Sequence, residues 1–294
     1  MNYCDKYGYT PEVEKIDKAL MTIAANIPSL ISEDILKKCF SIMDLTSLNS
    51  GDTPTSIRRF VEKVTKFHEA YPDFPLPASV CVYPNFASVV KESRISPELH
   101  ATVVSACFPT SQSFIEVKTL ECRMAVEAGA DEVDIVLALN SFKDGDKKKA
   151  FDEITAVRTT IDHAGAGRSI ILKVILETGV LSDPVAIAEA SFLAMEAGAD
   201  FIKTSTGKVS VNATPMAAYI MCECIAAYHK ATGRKVGFKP AGGISSAEDA
   251  VCYYSIVSTI LGKEWLDKKL FRFGVSRMAN NLLSAIRGET VSFF

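Results

Sequence analysis

Two lysines stand at the ends of short apolar runs, each followed by a turn of small residues. Lys203 lies in DFIKTSTGK (200–208) and Lys239 in VGFKPAGG (236–243). A free lysine amine is protonated at neutral pH and is no nucleophile. Burial and a second cation both lower its pKa. A lysine so neutralised can attack a carbonyl and form a Schiff base. Side chains alternate along a strand, so Lys203 shares a face with Phe201, and Lys239 with Gly237. By the same rule Lys173 shares a face with Ile171 and Ile175, and Asp134 lies between two residues of the opposite face. Four successive strands can therefore turn Asp134, Lys173, Lys203 and Lys239 to one side. Buried charges are costly unless paired, and a carboxylate among ammoniums can also move protons. For Lys173 and Asp134, a pair that only holds the interior together is the alternative.

The turns suit an anion. Thr206, Gly207 and Lys208 follow the first lysine, and Gly242 and Gly243 follow the second. FRFGVS (271–276) adds Gly274 and Ser276 before another helical segment. Glycines let backbone N–H groups approach a phosphate, and a helix N-terminus favours negative charge. This is not a P-loop: Ile202 stands where its first Gly belongs, and Val209 follows Lys208. A lysine beside such turns points to amine chemistry on a phosphate ester.

The elements that must position these residues alternate. Strands are expected at 41–45, 79–83, 102–107, 132–138, 170–176, 201–204, 236–240 and 271–274. Amphipathic helical segments are expected at 54–70, 86–92, 114–128, 147–163, 184–197, 215–230, 247–261 and 276–286. Asp183-Pro184 and Thr214-Pro215 each set a cap residue before a Pro at the first helical position. MAVEAGADEVDIV (124–136) and LAMEAGADFIKTS (193–205) repeat a helix, a glycine and a strand. Eight strand–helix pairs predict an α/β fold, a (β/α)8 TIM barrel over 41–294, as one catalytic domain. Residues 1–40 predict a helical N-terminal extension packed on it, with Ser32 capping its second helix. An open doubly wound sheet has the same alternation, but no G-x-G-x-x-G opens a helix here.

Composition narrows the partners. The 294 residues are 48% hydrophobic and carry a net charge of −3 without basic runs, so no nucleic-acid partner is expected. No apolar run approaches the roughly 18–20 residues of a membrane span. The first residues lack the pattern of a signal peptide, and a cytoplasmic location is expected. Seven of the eight cysteines sit in apolar periodic segments as small buried hydrophobes. Cys222 and Cys224, two apart on a helical pattern, face different directions and predict no metal site. The four histidines are expected at the surface or at helix ends. No cofactor is expected.

The motifs MDLT, ADEVDIV, LKVILETG, DFIKTSTGKVSVNAT and VGFKPAGGI together resemble deoxyribose-phosphate aldolase, a class I (Schiff-base) aldolase family on a (β/α)8 barrel. The resemblance runs from about residue 43 to 276. It implies reversible cleavage of 2-deoxy-D-ribose 5-phosphate to D-glyceraldehyde 3-phosphate and acetaldehyde, in deoxyribonucleotide catabolism. It implies Lys203 as the Schiff-base lysine, Lys239 as the lysine that tunes it, and Asp134 as the proton relay. Lys173, Asp44, Thr46 and Cys81 match residues near the substrate. Thr206, Gly207, Lys208, Gly242, Gly243 and Ser276 match the phosphate region. A phosphosugar is the implied partner, with a homodimer as the candidate assembly. The chain departs from the family where Ile244-Ser245 replaces a basic residue after the glycine pair, and where Arg277 replaces a small residue after Ser276. These departures suggest that the phosphate's positive partner has moved to Arg277. Cys107-Phe108-Pro109 replaces Asn-Phe-Pro, and Ser292-Phe293-Phe294 brings no terminal tyrosine hydroxyl. Another Schiff-base barrel aldolase and a silent phosphosugar sensor are the rival functions.

Overall fold

The computed structural model describes residues 2–294. Eight short strands form its centre: β1 (Met43–Thr46), β2 (Ser79–Val82), β3 (His100–Val104), β4 (Glu132–Val136), β5 (Ile171–Ile175), β6 (Phe201–Lys203), β7 (Gly237–Lys239) and β8 (Phe273–Val275). Successive strands pair in parallel from β1 to β7, and β8 pairs with β1. Parallel bridges Phe238↔Phe271 and Ala241↔Gly274 join β7 to β8 and close the barrel.

Three helices, α1 (Tyr3–Tyr7), α2 (Val13–Leu30) and α3 (Glu33–Ser41), precede the barrel. Around it run α4 (Pro54–Ala70), α5 (Ala87–Ser93), α6 (Ile115–Glu127), α7 (Leu139–Lys143) and α8 (Lys147–Ala164). The circuit continues with α9 (Thr178–Leu181), α10 (Pro184–Glu196), α11 (Pro215–Thr232), α12 (Ala247–Leu261) and α13 (Met278–Arg287). Their starts follow local chemistry. Asp183 and Thr214 accept the N–H groups of Ala186 and Ala217, with Pro at the first helical position. Ser32 caps α3 through the Ile35 N–H. The repeated EAGAD also does one job twice. Asp131 accepts the Ala101 N–H, and Asp200 the Leu172 N–H, each at 2.9 Å. Each aspartate thereby ties the start of its own strand to the strand before it.

Several boundaries differ from expectation. The expected strand 41–45 is Met43–Thr46, because Ser41 finishes α3 with its hydroxyl on the Lys38 carbonyl. The expected strand 102–107 is His100–Val104, because Ala106 and Cys107 turn to φ 54° and 60° and leave the sheet. The last helix starts at Met278 rather than Ser276, with Arg277 at its N-cap. The short helices α7 and α9 were not foreseen. Before the barrel, α1 docks on α10: the Cys4 N–H donates to Glu189 at 2.6 Å, and Tyr7 stacks on Phe192 at 4.6 Å. Among the described residues, no single helix is long and apolar enough to cross a membrane.

The apolar core lies between strands and helices. The barrel interior is different: Asp44, Glu132, Asp134, Lys173, Lys239 and Arg272 are all buried there. Gly237 makes room for the Phe201 ring. A Cβ at that position would lie 2.3 Å from the Phe201 ring, which fills the interior. The Arg272 guanidinium sits over that ring at 5.8 Å.

Candidate active site

Strand register brings the predicted charges together. Asp134 pairs with Lys173 across β4 and β5, and Lys203 with Lys239 across β6 and β7. The three ammoniums converge on one carboxylate. Lys203 and Lys239 each donate to Asp134 Oδ2 at 2.8 Å, and Lys173 donates to Oδ1 at 2.9 Å. Asp44 completes the group from β1. Its Oδ2 lies 2.5 Å from Lys239 Nζ and 3.5 Å from Lys173 Nζ, close enough for ion pairs though not aligned for hydrogen bonds.

Two residues of this cluster went unforeseen. Arg272, just before β8, pairs with Asp44 Oδ1 at 2.5 Å and with Glu132 Oε1 at 2.7 Å. Glu132 also pairs with Lys173. The rule that found Asp134 also finds Glu132, two residues earlier on the same face. Likewise Arg272 shares a face with Gly274. His100 is a correction of the surface or helix-end expectation: it opens β3, with Nδ1 2.6 Å from Glu132 Oε1.

The charges do not balance when every lysine is protonated. Asp44, Glu132 and Asp134 supply three negative charges. Lys173, Lys203, Lys239 and Arg272 would supply four positive ones. Burial penalises the surplus, and of the three lysines Lys203 is the one whose pKa is lowered. Burial lowers the Lys203 pKa, and the neighbouring Lys239 ammonium lowers it further against the pull of Asp134. Lys239 is buried too, but Asp134 and Asp44 outweigh burial and raise its pKa well above the ordinary value. Lys173 is also raised, by Asp134 and Glu132. Burial alone would raise Asp134, yet its three lysines hold it far below the usual carboxylate range. Lys239, Arg272 and Lys173 do the same for Asp44.

A cavity of about 450 Å³ opens above Lys203 at the C-terminal ends of the strands. Thr46, Thr206, Gly207, Lys208, Gly242, Gly243, Ser276 and Arg277 line it, together with the unforeseen Leu48 and Asn49. Gly242 has φ +81°, and a Cβ there would lie 2.6 Å from Asn212 Oδ1, so only glycine makes this turn without strain. Lys208 donates to the Leu48 carbonyl at 2.7 Å, which leaves two ammonium protons for another acceptor. Thr206 is more committed. Its hydroxyl donates to Glu177 Oε2 at 2.6 Å and its N–H to Oε1 at 3.1 Å. Thr206 therefore shapes the loop, and its donors are not available to an anion. Glu177 was missed. It is buried with φ 54° after β5, a backbone state that no sequence period announces. Thr46 donates its hydroxyl to the Asp44 carbonyl at 2.9 Å. Cys81 packs beneath Leu48 beside Val104, and burial pushes its thiol pKa up. The residues 292–294 stay among the outer helices: the Phe293 and Phe294 N–H groups donate to Asn280.

A lysine whose pKa is lowered, at the floor of an open cavity, is suited to attack a carbonyl. Lys239 and Asp134 lie beside it, and cations and glycine turns line the other end. The chain is similar to known proteins over most of its length. The family model described as DeoC/LacD family aldolase matches residues 39–252. A Caenorhabditis elegans protein named "Putative deoxyribose-phosphate aldolase" is 38% identical over 275 residues, which cover 93% of this chain and 88% of that one. The crystal structure of a Toxoplasma gondii protein named likewise matches with TM-score 0.72 at 19% identity, over 87% of this chain and 95% of that one. A deoxyribose phosphate aldolase from Aeropyrum pernix, described as having a unique tetrameric structure, matches with TM-score 0.65 at 23% identity, over 89% of this chain and 96% of that one. The chain belongs to the DeoC/LacD family of aldolases and is a carbon–carbon lyase of the class I aldolase type.

Proposed function

We propose that the chain cleaves 2-deoxy-D-ribose 5-phosphate reversibly to D-glyceraldehyde 3-phosphate and acetaldehyde, through a Schiff base on Lys203. Breakdown of deoxyribonucleotides is the corresponding role. The observation that carries the proposal is the depressed pKa of Lys203, alone among the three clustered lysines and the one that opens to the cavity.

The Lys203 amine attacks the C1 aldehyde of the open-chain sugar, and loss of water leaves an iminium. A base removes the proton of the C3 hydroxyl, with Asp134 and Lys239 passing it on. The C2–C3 electrons move toward the iminium nitrogen, the bond breaks, and glyceraldehyde 3-phosphate departs. An enamine of acetaldehyde remains on Lys203. Protonation at its terminal carbon restores an iminium, and water releases acetaldehyde and the free amine. Lys208, Arg277 and the Gly242-Gly243 turn would hold the phosphate throughout, fixing the distance between anion and aldehyde.

Borohydride reduction in the presence of acetaldehyde, followed by peptide mass spectrometry, tests this. The two-carbon adduct is expected on Lys203. Label on Lys239 or Lys173 overturns the assignment. Trapping by ketose phosphates but not by acetaldehyde points to another Schiff-base aldolase.

A further inference from the structure

The connection from β5 to α9 carries a buried carboxylate that belongs neither to the lysine cluster nor to the cavity wall. Glu177 is 2% exposed and stands at φ 54°, ψ 58°, a left-handed backbone state that is costly for a residue with a side chain. Such strain persists only where the surroundings enforce it. Here they do. Beyond the strand ends, the chains leaving β5 and β6 stay paired by backbone: the Leu176 N–H donates to the Lys203 carbonyl at 2.8 Å, and the Thr178 N–H to the Thr204 carbonyl at 2.9 Å. Where backbone pairing stops, the Glu177 side chain takes over and accepts both the N–H and the hydroxyl of Thr206, one on each oxygen. Gly179 closes the same contact. A Cβ there would run into the Val211 carbonyl, so the β6 loop packs directly on the backbone of α9.

The direction of these bonds reaches the cavity. A carboxylate only accepts, so the Thr206 hydroxyl donates to Glu177 and keeps its lone pairs for another donor. That donor is the Lys208 N–H, at 3.0 Å. Gly207 and Lys208 are themselves exposed, so this chain of bonds ties an exposed loop tip to a buried anchor. We propose, on the strength of the phosphate reading above, that Glu177 is a positioning residue for the phosphate end of the site. Through the Thr206 hydroxyl it fixes the Lys208 backbone, while the Leu48 carbonyl fixes the Lys208 ammonium at the other end of the side chain. By charge alone Glu177 opposes an anion. Its contribution is pre-organisation, since a lysine already held in place loses less freedom when the anion arrives. Glutamine has the size of glutamate but not its polarity: its amide can donate to the Thr206 oxygen and compete there with the Lys208 N–H.

Glycerol 3-phosphate, a phosphate ester without a carbonyl, probes the anion end with no Schiff-base chemistry, and calorimetric titration of the full chain gives its Kd. Glu177→Gln should raise that Kd roughly tenfold, the size of one well-placed charge contact. Thr206→Val, which removes the hydroxyl, should match it, and Thr206→Ser, which keeps the hydroxyl, should stay within about twofold of the wild type. On a Lys208→Met background, Glu177→Gln should change the Kd by less than about twofold, because no ammonium remains to be held. Borohydride trapping of acetaldehyde should proceed in each variant as in the wild type, which shows that the Lys203 end is intact. A Kd indifferent to both Glu177→Gln and Thr206→Val overturns the proposal. So does a Glu177→Gln loss that persists in full without the Lys208 ammonium, since the residue would then act on the fold and not through Lys208. So does a Thr206→Ser variant as weak as Thr206→Val. A wild type that binds no glycerol 3-phosphate overturns the phosphate reading together with the proposal, whereas a wild type that binds it beside indifferent variants overturns the role of Glu177 alone.

Discussion

β6 and β7 are neighbours in register, and each ends in a lysine that donates to the same oxygen of Asp134 at 2.8 Å. Their surroundings nevertheless push the two lysine pKa values in opposite directions. Lys239 is fully buried, faces a second carboxylate at 2.5 Å, and is raised. Lys203 is 4% exposed, has Asp134 as its one ion-pair partner, and is lowered. Burial depth therefore does not decide which lysine is lowered. The number of carboxylates within reach does, because desolvation penalises both amines while only Lys239 is compensated twice. The result is one amine with a lowered pKa beside one with a raised pKa, from two strand ends of similar sequence.

The largest effect should come from breaking this asymmetry at the proposed nucleophile. Lys203→Leu should lower kcat/KM by about four orders of magnitude or more, with sugar phosphate still bound, because the covalent step is lost. Lys239→Leu should lower it by roughly 10²- to 10³-fold, the size of a lost proton-transfer partner. It should also move the acid limb of log(kcat/KM). The sign follows from the charges: Lys239 lowers the Lys203 pKa, so its removal raises that pKa and shifts the limb to higher pH. Steady-state kinetics across pH would measure both. Equal losses in the two variants would mean that the lysines act as one unit and would sink the comparison.

The next test reaches the floor of the barrel. With four cations facing three carboxylates, one proton is surplus, and Arg272 is a cation that cannot give its proton up. Arg272→Met removes the surplus without touching the cavity. Lys203 should then hold its proton more tightly, and the acid limb should again move to higher pH. The variant should also lose about 3–5 kcal/mol of stability, because Glu132 and Asp44 lose their buried partner. Denaturant unfolding beside the pH profile separates the two effects. A destabilised enzyme with an unmoved limb would show that the charge count does not set the amine.

The contrast between strand ends and floor also marks what could be read in the sequence. The barrel was legible because its signals are local: cap-Pro pairs start α10 and α11, and the EAGAD repeat begins β4 and β6 in the same way. The inward lysines were legible because strand alternation needs only short-range information. Glu132 obeyed the same rule but stood at the start of its strand, where a carboxylate reads as solvent-facing. Arg272 lies outside β8 by hydrogen bonding and between two phenylalanines, so its inward turn depends on closure against β7. Glu177 depends on a loop 29 residues away, and its left-handed backbone leaves no pattern. Thr206 looked like a phosphate donor because the Glu177 that occupies it was unseen.

The smallest expected effect concerns the two phosphate loops, where the same kind of contrast applies. The β6 loop brings Lys208, which is anchored on the Leu48 carbonyl. The β7 loop brings glycines, but Asp249 takes the N–H groups of both Ser245 and Ser246. The β8 loop brings Arg277, which lines the cavity and is exposed at the N-cap of α13. If Arg277 supplies the cation that the β7 loop lacks, Arg277→Ser should raise KM for the phosphorylated sugar about tenfold, the range of one exposed charge contact. It should leave kcat within about twofold, because uniform binding is lost rather than transition-state binding. Free deoxyribose separates a phosphate contact from a general disturbance of the loop, since only the phosphorylated substrate should feel the change. An equal rise in KM for both sugars would remove Arg277 from the phosphate site and leave Lys208 and the glycine turn to hold the anion.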